Sequence, residues 1–435
     1  MTGEWATARL DDLCDFRAGV AFKPALQGRS SGEFPFVKVS DMNLAANAVR
    51  IQDANNWVSA DDLRELRATP LPPGTVVFAK IGEALRQNRL RQVARETIVD
   101  NNMMGAVPRL ERIDAHYFYY ALSQFDFSDI AQGTALPYLT VASLSALTLD
   151  LPSAPEQRAI AHILGTLDDK IDLNRRMNGT LESMAGALFK SWFVELDPVR
   201  AKVEGRDPDV PRPLADLCPD NLMDSGRGEL PAGWEVGTFG DLVEVLRDQV
   251  NPLESPDILF LHFSIPAFDD GQWPKEELGK SIKSLKSRVP PGVVLLSKLN
   301  PEIERVWFVD VQPNERAVCS TEFLVLRPRP PAGRALAYCL ARSSVFRQRL
   351  EGLVTGTSKS HQRAQVGSIL SLPVVRPESA FFEAFERQAG PLLQRTLKCL
   401  RESHTLAALR DALLPKLISG ELRVKDAERF LGRVV

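Results

Sequence analysis

Residues 155–192 read PEQRAIAHILGTLDDKIDLNRRMNGTLESMAGALFKSW. Within them Ile160, Leu164, Leu167, Ile171, Asn174, Asn178, Leu181, Ala185, Leu188 and Trp192 follow alternating steps of four and three, a 3.5-residue period. Pro155 and Glu156 supply the proline and acidic residue that suit a helix start. A helix of that length would extend roughly 57 Å. With one apolar seam it requires a partner. Asn174 and Asn178 in the seam have two open readings: buried polar residues that fix register, or residues exposed where the pairing loosens.

A second such segment begins near Pro377. It carries Phe382, Phe385, Ala389, Leu392, Leu393, Leu397, Leu400, Leu406, Leu409, Leu413 and Leu417, and stops close to Gly420. The two helices belong to a longer repeat. Trp5 with Asp12-Leu13 returns as Trp234 with Asp241-Leu242, and Pro72-Pro73-Gly74 followed by Val76 to Lys80 returns as Pro290-Pro291-Gly292 followed by Val294 to Lys298. Gly133-Thr134 with Leu147 returns as Gly356-Thr357 with Leu370, and Thr180-Leu181 with Ala187-Leu188 as Thr405-Leu406 with Ala412-Leu413. Four matches in the same order, about 225 residues apart, describe an internal two-fold repeat.

The expected fold class is α+β: two similar globular domains separated by a pair of long antiparallel coiled-coil helices. The boundaries read from composition and punctuation are a first globular domain at 1–152, a first long helix at 153–194 and a connector at 195–230. A second globular domain at 231–376, a second long helix at 377–420 and a tail at 421–435 follow. The connector is rich in Pro, Asp, Arg and Gly and reads as mostly irregular. An antiparallel pair is the shorter route for the chain, and it would put the globular blocks at opposite ends of a rod about a pseudo-two-fold axis. Two readers with centres about one helical turn apart, ~34 to 36 Å, would meet one face of a duplex.

Composition narrows the function. A formal charge of −3 offers no strong unaided attraction to nucleic acid, so binding has to come from local patches or from a partner's charge. The five cysteines are scattered without a Cys-x-x-Cys pair and suggest neither a disulfide framework nor a zinc site. The first residues lack a basic segment followed by an apolar stretch, and no apolar run reaches membrane-spanning length, so a cytoplasmic protein without a membrane is expected. No methyltransferase signature, phosphate loop, glycine-rich dinucleotide turn or His-Glu-x-x-His motif occurs, and a non-catalytic chain without a cofactor or metal of its own follows.

Candidate DNA contacts are polar clusters. Lys80, Arg86, Gln87, Asn88, Arg89 and Arg91 combine phosphate-seeking charges with amides able to pair with adenine, although a solvated helix face accounts for the same residues. In the second block Lys280, Lys283, Lys286 and Arg288 could lie along a backbone, although a solvated face accounts for them as well, and Lys298, like Lys38, is a separate candidate that abuts a strand. Thr357, Ser358, Lys359, Ser360, His361, Gln362 and Arg363 follow a glycine that allows close approach, and Thr134 and Tyr138 hold the matching place in the first block, with turn chemistry alone as the other reading of both loops. For subunit or coiled-coil contacts the candidates are Ile160, Leu164, Leu167, Ile171, Leu181, Leu188, Leu406, Leu409 and Leu413.

The stretches Leu188-Phe189-Lys190-Ser191-Trp192-Phe193, Asp197-Pro198-Val199-Arg200-Ala201-Lys202, Leu217-Cys218-Pro219-Asp220 and Gly228-Glu229-Leu230-Pro231-Ala232-Gly233-Trp234 resemble the specificity subunits of type I restriction-modification systems. Leu413 to Leu422 is similar to that family's closing segment. The resemblance covers essentially the whole chain. It implies a non-catalytic DNA-binding subunit whose two recognition domains each read half of an asymmetric bipartite target in double-stranded DNA. Its helices would dock two methyltransferase subunits, in which S-adenosylmethionine is the methyl donor for adenine, and restriction subunits can join that core. One departure stands out, since Glu378-Ser379-Ala380 replaces the Glu156-Gln157 pair at the second helix start. The competing reading is a coiled-coil assembly scaffold whose globular blocks bind proteins.

Overall fold

The computed structural model describes residues 5–224, 226, 228–354, 362–427 and 429. The chain divides into two compact units, Met1–Leu173 with Glu402–Val435 and Asn174–Arg401. Each unit therefore combines one mixed block with a portion of both long helices, Ala154–Phe189 and Ser379–Ile418.

In the first unit a five-stranded sheet has the order Cys14–Ala18, Met103–Pro108, Val76–Ala79, Leu90–Val93, Arg50–Ile51. Val76–Ala79 and Met103–Pro108 are buried along their whole length, as apolar runs without alternation require. A smaller sheet pairs Phe34–Val37 antiparallel to Trp57–Val58 and parallel to Ile98–Val99. Ala6–Arg9 and Thr148–Leu151 pair at the edge where the block meets its long helix. Helix Ala115–Leu122 starts at Asp114, whose side chain accepts from the His116 and Tyr117 amides at 2.9 and 3.0 Å.

The second unit repeats this plan. Its four-stranded sheet runs Val243–Leu246, Phe323–Pro328, Val294–Ser297, Val306–Phe308, and a five-stranded sheet runs Gln249–Val250, Lys286–Arg288, Ala317–Cys319, Leu259–Phe263, Lys275–Leu278. Leu259–Phe263 lies parallel to Ala317–Cys319, the counterpart of the parallel pair in the first unit. Glu235–Thr238 pairs with Pro373–Arg376 as Ala6–Arg9 does with Thr148–Leu151.

Inside each unit the long helices run antiparallel. In the first, Glu156 is bridged by Arg423 at 3.0 Å, Asp168 by Arg410 at 2.6 Å and Lys170 by Glu402 at 3.4 Å, so partners descend as the first helix ascends. In the second, Met177 lies against Cys399, Phe189 against Phe385 and Trp192 against Phe381. Ile160, Leu164, Leu167, Leu406 and Leu413 are buried in the first unit's core, with Ile171 and Leu409 packed at its margin. Ala185, Phe189 and Trp192 enter the core of the second unit, where Leu188 packs at the margin; Leu181 is half-buried. Asn174 is fully buried in the seam and Asn178 half-buried.

One difference from the sequence expectations has a physical cause. The stretch 195–230, expected to be mostly irregular, contains helices Asp197–Val203 and Arg212–Ala215 and the paired strands Leu222–Asp224 and Glu229–Pro231. Val199, Leu214 and Cys218 sit in the second unit's core, so apolar burial overrides the proline and glycine content. The long helices are also anchored differently to their blocks. Gln157 accepts from the Asp114 amide at 2.8 Å and donates to the Pro152 carbonyl at 2.9 Å. In the second unit helix Arg334–Arg342 starts at Gly333, without a capping side chain, and Glu386 of the long helix accepts from the Ala335 and Leu336 amides at 3.2 and 2.7 Å. A Cβ at Gly333 would collide with the Glu386 side chain, so the glycine admits the carboxylate. All five cysteines are buried free thiols.

Candidate nucleic-acid interface

In the first unit, strand Val76–Ala79 delivers Lys80 to a rim where two loops meet. The Lys80 amide donates to Asn102 at 2.8 Å, and its carbonyl accepts from Leu139 at 2.9 Å. Gly82, at φ +75°, donates to the Pro137 carbonyl at 2.8 Å, and Ile81 bridges Tyr138. The second loop is closed on itself by reciprocal backbone bonds of 2.9 Å between Gln132 and Tyr138, with Gly133 at φ +83° inside the turn. Arg86 reaches across to the Thr134 carbonyl at 3.4 Å.

This frame brings Lys80, Arg86, Gln87 and Arg89 together with Thr134 and Tyr138 from a separate stretch of the sequence. All but Lys80, which is half-buried, are exposed, and Leu136 and Tyr138 present 58% and 43% of their surface to solvent. Cationic and amide groups thus stand beside an exposed aromatic ring, a combination able to hold phosphate and touch base edges.

Two candidates in the same stretch serve the fold instead. Asn88, at φ 46°, donates through Nδ2 to Phe125 O at 2.7 Å and accepts from the Phe127 amide at 3.2 Å, so both ends of its amide brace the neighbouring chain. Arg91 lies in strand Leu90–Val93 and donates to the Leu90 and Met42 carbonyls at 2.7 and 3.1 Å. Neither reading from sequence, a free contact or a solvated helix face, describes these two.

The second unit builds the same frame. The Lys298 amide donates to Glu322 at 3.0 Å and its carbonyl accepts from Ala364 at 3.0 Å; the Asn300 amide donates to Gln362 at 2.8 Å, and Leu299 bridges Arg363. Asn300 has a positive φ of 49°, matching the left-handed place that Gly82 holds. Lys80 and Lys298, Asn102 and Glu322, and Tyr138 and Arg363 are therefore structural counterparts. Arg363 is not a free cation. Its Nε and Nη2 donate to the two oxygens of Glu322 at 3.0 and 2.8 Å. Glu322 carried no sequence signal, because it lies 41 residues from its partner.

Lys286 belongs to the other sheet of this unit, and its ammonium donates to Ser284 at 2.5 Å while burial lowers its pKa. Lys283 is exposed beyond it. Of the expected basic row, Lys286 and Arg288 lie in the strand Lys286–Arg288, where Arg288 is paired with Asp248 at 2.8 Å, and Lys280 lies in the short turn Gly279–Ser281, while Lys298 follows a strand of the four-stranded sheet. Thr357, Ser358, Lys359, Ser360 and His361 lie outside the described residues. Among the described residues no group of three or more His, Cys, Asp or Glu side chains is arranged to hold a metal ion, and no helix is long and apolar enough to cross a membrane.

Residues 2–183 match the type I restriction modification DNA specificity domain. The chain is 22% identical to the MjaIX specificity subunit of a type I restriction enzyme from Methanocaldococcus jannaschii, over 97% of this chain and 94% of that protein. It is 24% identical to the HindI specificity subunit from Haemophilus influenzae, over 66% of this chain and 71% of that protein. The crystal structure of a type I restriction-modification S subunit from M. genitalium aligns with a TM-score of 0.56 at 13% identity, over 96% of this chain and 97% of that one, and shows a shared fold. By its N-terminal domain match and by these relatives, the chain is similar to the DNA specificity subunits of type I restriction-modification systems.

Proposed function

We propose that each unit carries one target-recognition domain, that each domain reads one half of a bipartite, asymmetric DNA target, and that the long helices set the spacer and dock two methyltransferase subunits. The chain itself performs no chemistry. S-adenosylmethionine is used by the methyltransferase subunits, and restriction subunits join the complex for cleavage. The observation that carries this reading is the rim frame built twice by the same backbone hydrogen bonds, around Lys80 and around Lys298, with different side chains at matched positions. Two readers of one design with unlike side chains suit two half-sites of unlike sequence.

The test is selection from a randomised duplex library by the full chain with the methyltransferase subunits of its own system. Enrichment of two fixed half-sites at constant spacing is expected, and removing four residues from each long helix should change that spacing while leaving the half-site bases intact. Leu181→Asp should impair subunit assembly without altering base preference. Retention of DNA without sequence preference would favour the assembly-scaffold reading and overturn this one.

A further inference from the structure

The second rim holds an arginine in a fixed orientation. Glu322 takes hydrogen bonds from Nε and Nη2 of Arg363, the bidentate geometry that suits guanidinium and carboxylate. Glu322 is well covered, with 21% of its side chain accessible, whereas 51% of the Arg363 side chain is exposed. The carboxylate is thus the seat and the guanidinium faces outward. Of the five guanidinium N–H groups, the two on Nη1 and the second on Nη2 remain for another acceptor. Among the described residues Nη1 has no hydrogen-bond partner. The end of the fork, Nη1 beside Nη2, is therefore presented in one plane.

Two features argue against a purely stabilising or phosphate-binding role. Exposed ion pairs contribute little to stability, so the fold gains little from this one. A paired arginine is also close to neutral overall, which weakens its pull on phosphate while leaving its directional donors intact. Two parallel donors at the end of a fixed fork match the paired acceptors O6 and N7 on the major-groove edge of guanine. The first rim lacks this device, since Tyr138 and Asn102 occupy the matched places.

We infer that Glu322 is a positioning residue that aims Arg363 at a guanine, fixing one G·C pair in the half-site read by the second unit. The inference rests on the proposed function. Its test is library selection, as above, with the wild-type complex and with Glu322→Gln, Glu322→Ala and Arg363→Lys. For the wild type, one position of one half-site should require G·C, by about 10- to 100-fold over other pairs. Arg363→Lys should relax that position alone. Glu322→Ala should relax it in part, and Glu322→Gln less, because the amide oxygen still accepts one bond from the fork. Thermal midpoints of the variants within a few degrees of wild type would separate this from unfolding.

Unchanged preference at every position in Arg363→Lys and Glu322→Ala would overturn the inference. So would uniform weakening across all sequences, which marks a phosphate contact. A wild-type complex with no preference anywhere would overturn the specificity reading itself. A wild type that is selective, with variants equally selective, sinks only the role of this pair.

Discussion

Asp168 offers a sharp test of what holds the first unit's helices together. Its side chain is 4% accessible; it accepts from the Tyr120 hydroxyl at 2.6 Å and from Arg410 at 2.6 Å, joining both long helices to helix Ala115–Leu122. Burial and the neighbouring carboxylate push the Tyr120 phenol far above its ordinary pKa, so the hydroxyl stays a donor. Arg410→Met keeps most of the side-chain volume but leaves a buried carboxylate with one neutral partner. Breaking a buried pair from one side costs about 3–5 kcal/mol. At about 2–4 °C per kcal/mol for a unit of this size, the midpoint should drop by roughly 6–20 °C. The triple variant Tyr120→Phe, Asp168→Leu, Arg410→Met removes every polar partner together and should return to within about 1 kcal/mol of wild type or exceed it. The assay is urea unfolding of the full chain, with hydrogen exchange followed on peptides from residues 154–173 and 402–418. A loss below about 1 kcal/mol for Arg410→Met, or a triple variant as unstable as the single one, would refute the reasoning.

Phe385 is fully buried among Phe189, Trp192 and Phe193, and Phe385→Ala should cost about 3–5 kcal/mol through lost transfer energy and a cavity, visible as faster exchange in residues 379–401 while residues 402–418 keep their protection. His262 is held below its ordinary pKa, first by burial and against the opposing pull of Glu277 at 2.6 Å. The unfolded imidazole therefore takes up protons more readily than the folded one, and the second unit should lose stability as pH falls from 6.5 towards the lowered value, at no more than about 1.4 kcal/mol per pH unit. Denaturation between pH 7 and 5 should show this slope in the wild type and a flatter one in His262→Asn; identical slopes would contradict it.

The repeat and the long helices were legible because their signals are periodic. Pro-Pro-Gly followed by an apolar run marks a turn and a buried strand in both halves, and steps of three and four mark the helical seam. What escaped was work done across sequence distance. Asn88 looks like a base-reading amide until Phe125 and Phe127 are found at its two ends. Arg363 looks like a free cation until Glu322 arrives from a different strand end. The changed sequence at the second helix start did announce a different docking. It gave no sign that Glu386, two turns inside the helix, would cap the helix beginning at Arg334, because that depends on Gly333 leaving space. Positions 195–230 misled for the opposite reason: their turn residues are real, but Val199, Leu214 and Cys218 are too apolar to remain outside a core.

The two rims also show how one backbone design can carry different side chains. The bonds that the two frames share are made by backbone: Lys80 with Asn102 and Leu139, Lys298 with Glu322 and Ala364, Gly82 with Pro137, Asn300 with Gln362. A backbone bond depends on the presence of an N–H and a carbonyl and, apart from proline, is indifferent to the side chain. Side chains at the matched positions are therefore released from holding the loops, so the place of Asn102 in one frame can be taken by Glu322 in the other, and that of Tyr138 by Arg363, without a change of fold. Gly82 and Asn300 mark the limit of this freedom, since their positive φ admits few residue types. Exchanging Asn102 and Tyr138 for Glu and Arg should accordingly leave the first unit folded, and whether that double variant acquires a G·C requirement tests whether the frame alone suffices to aim the fork.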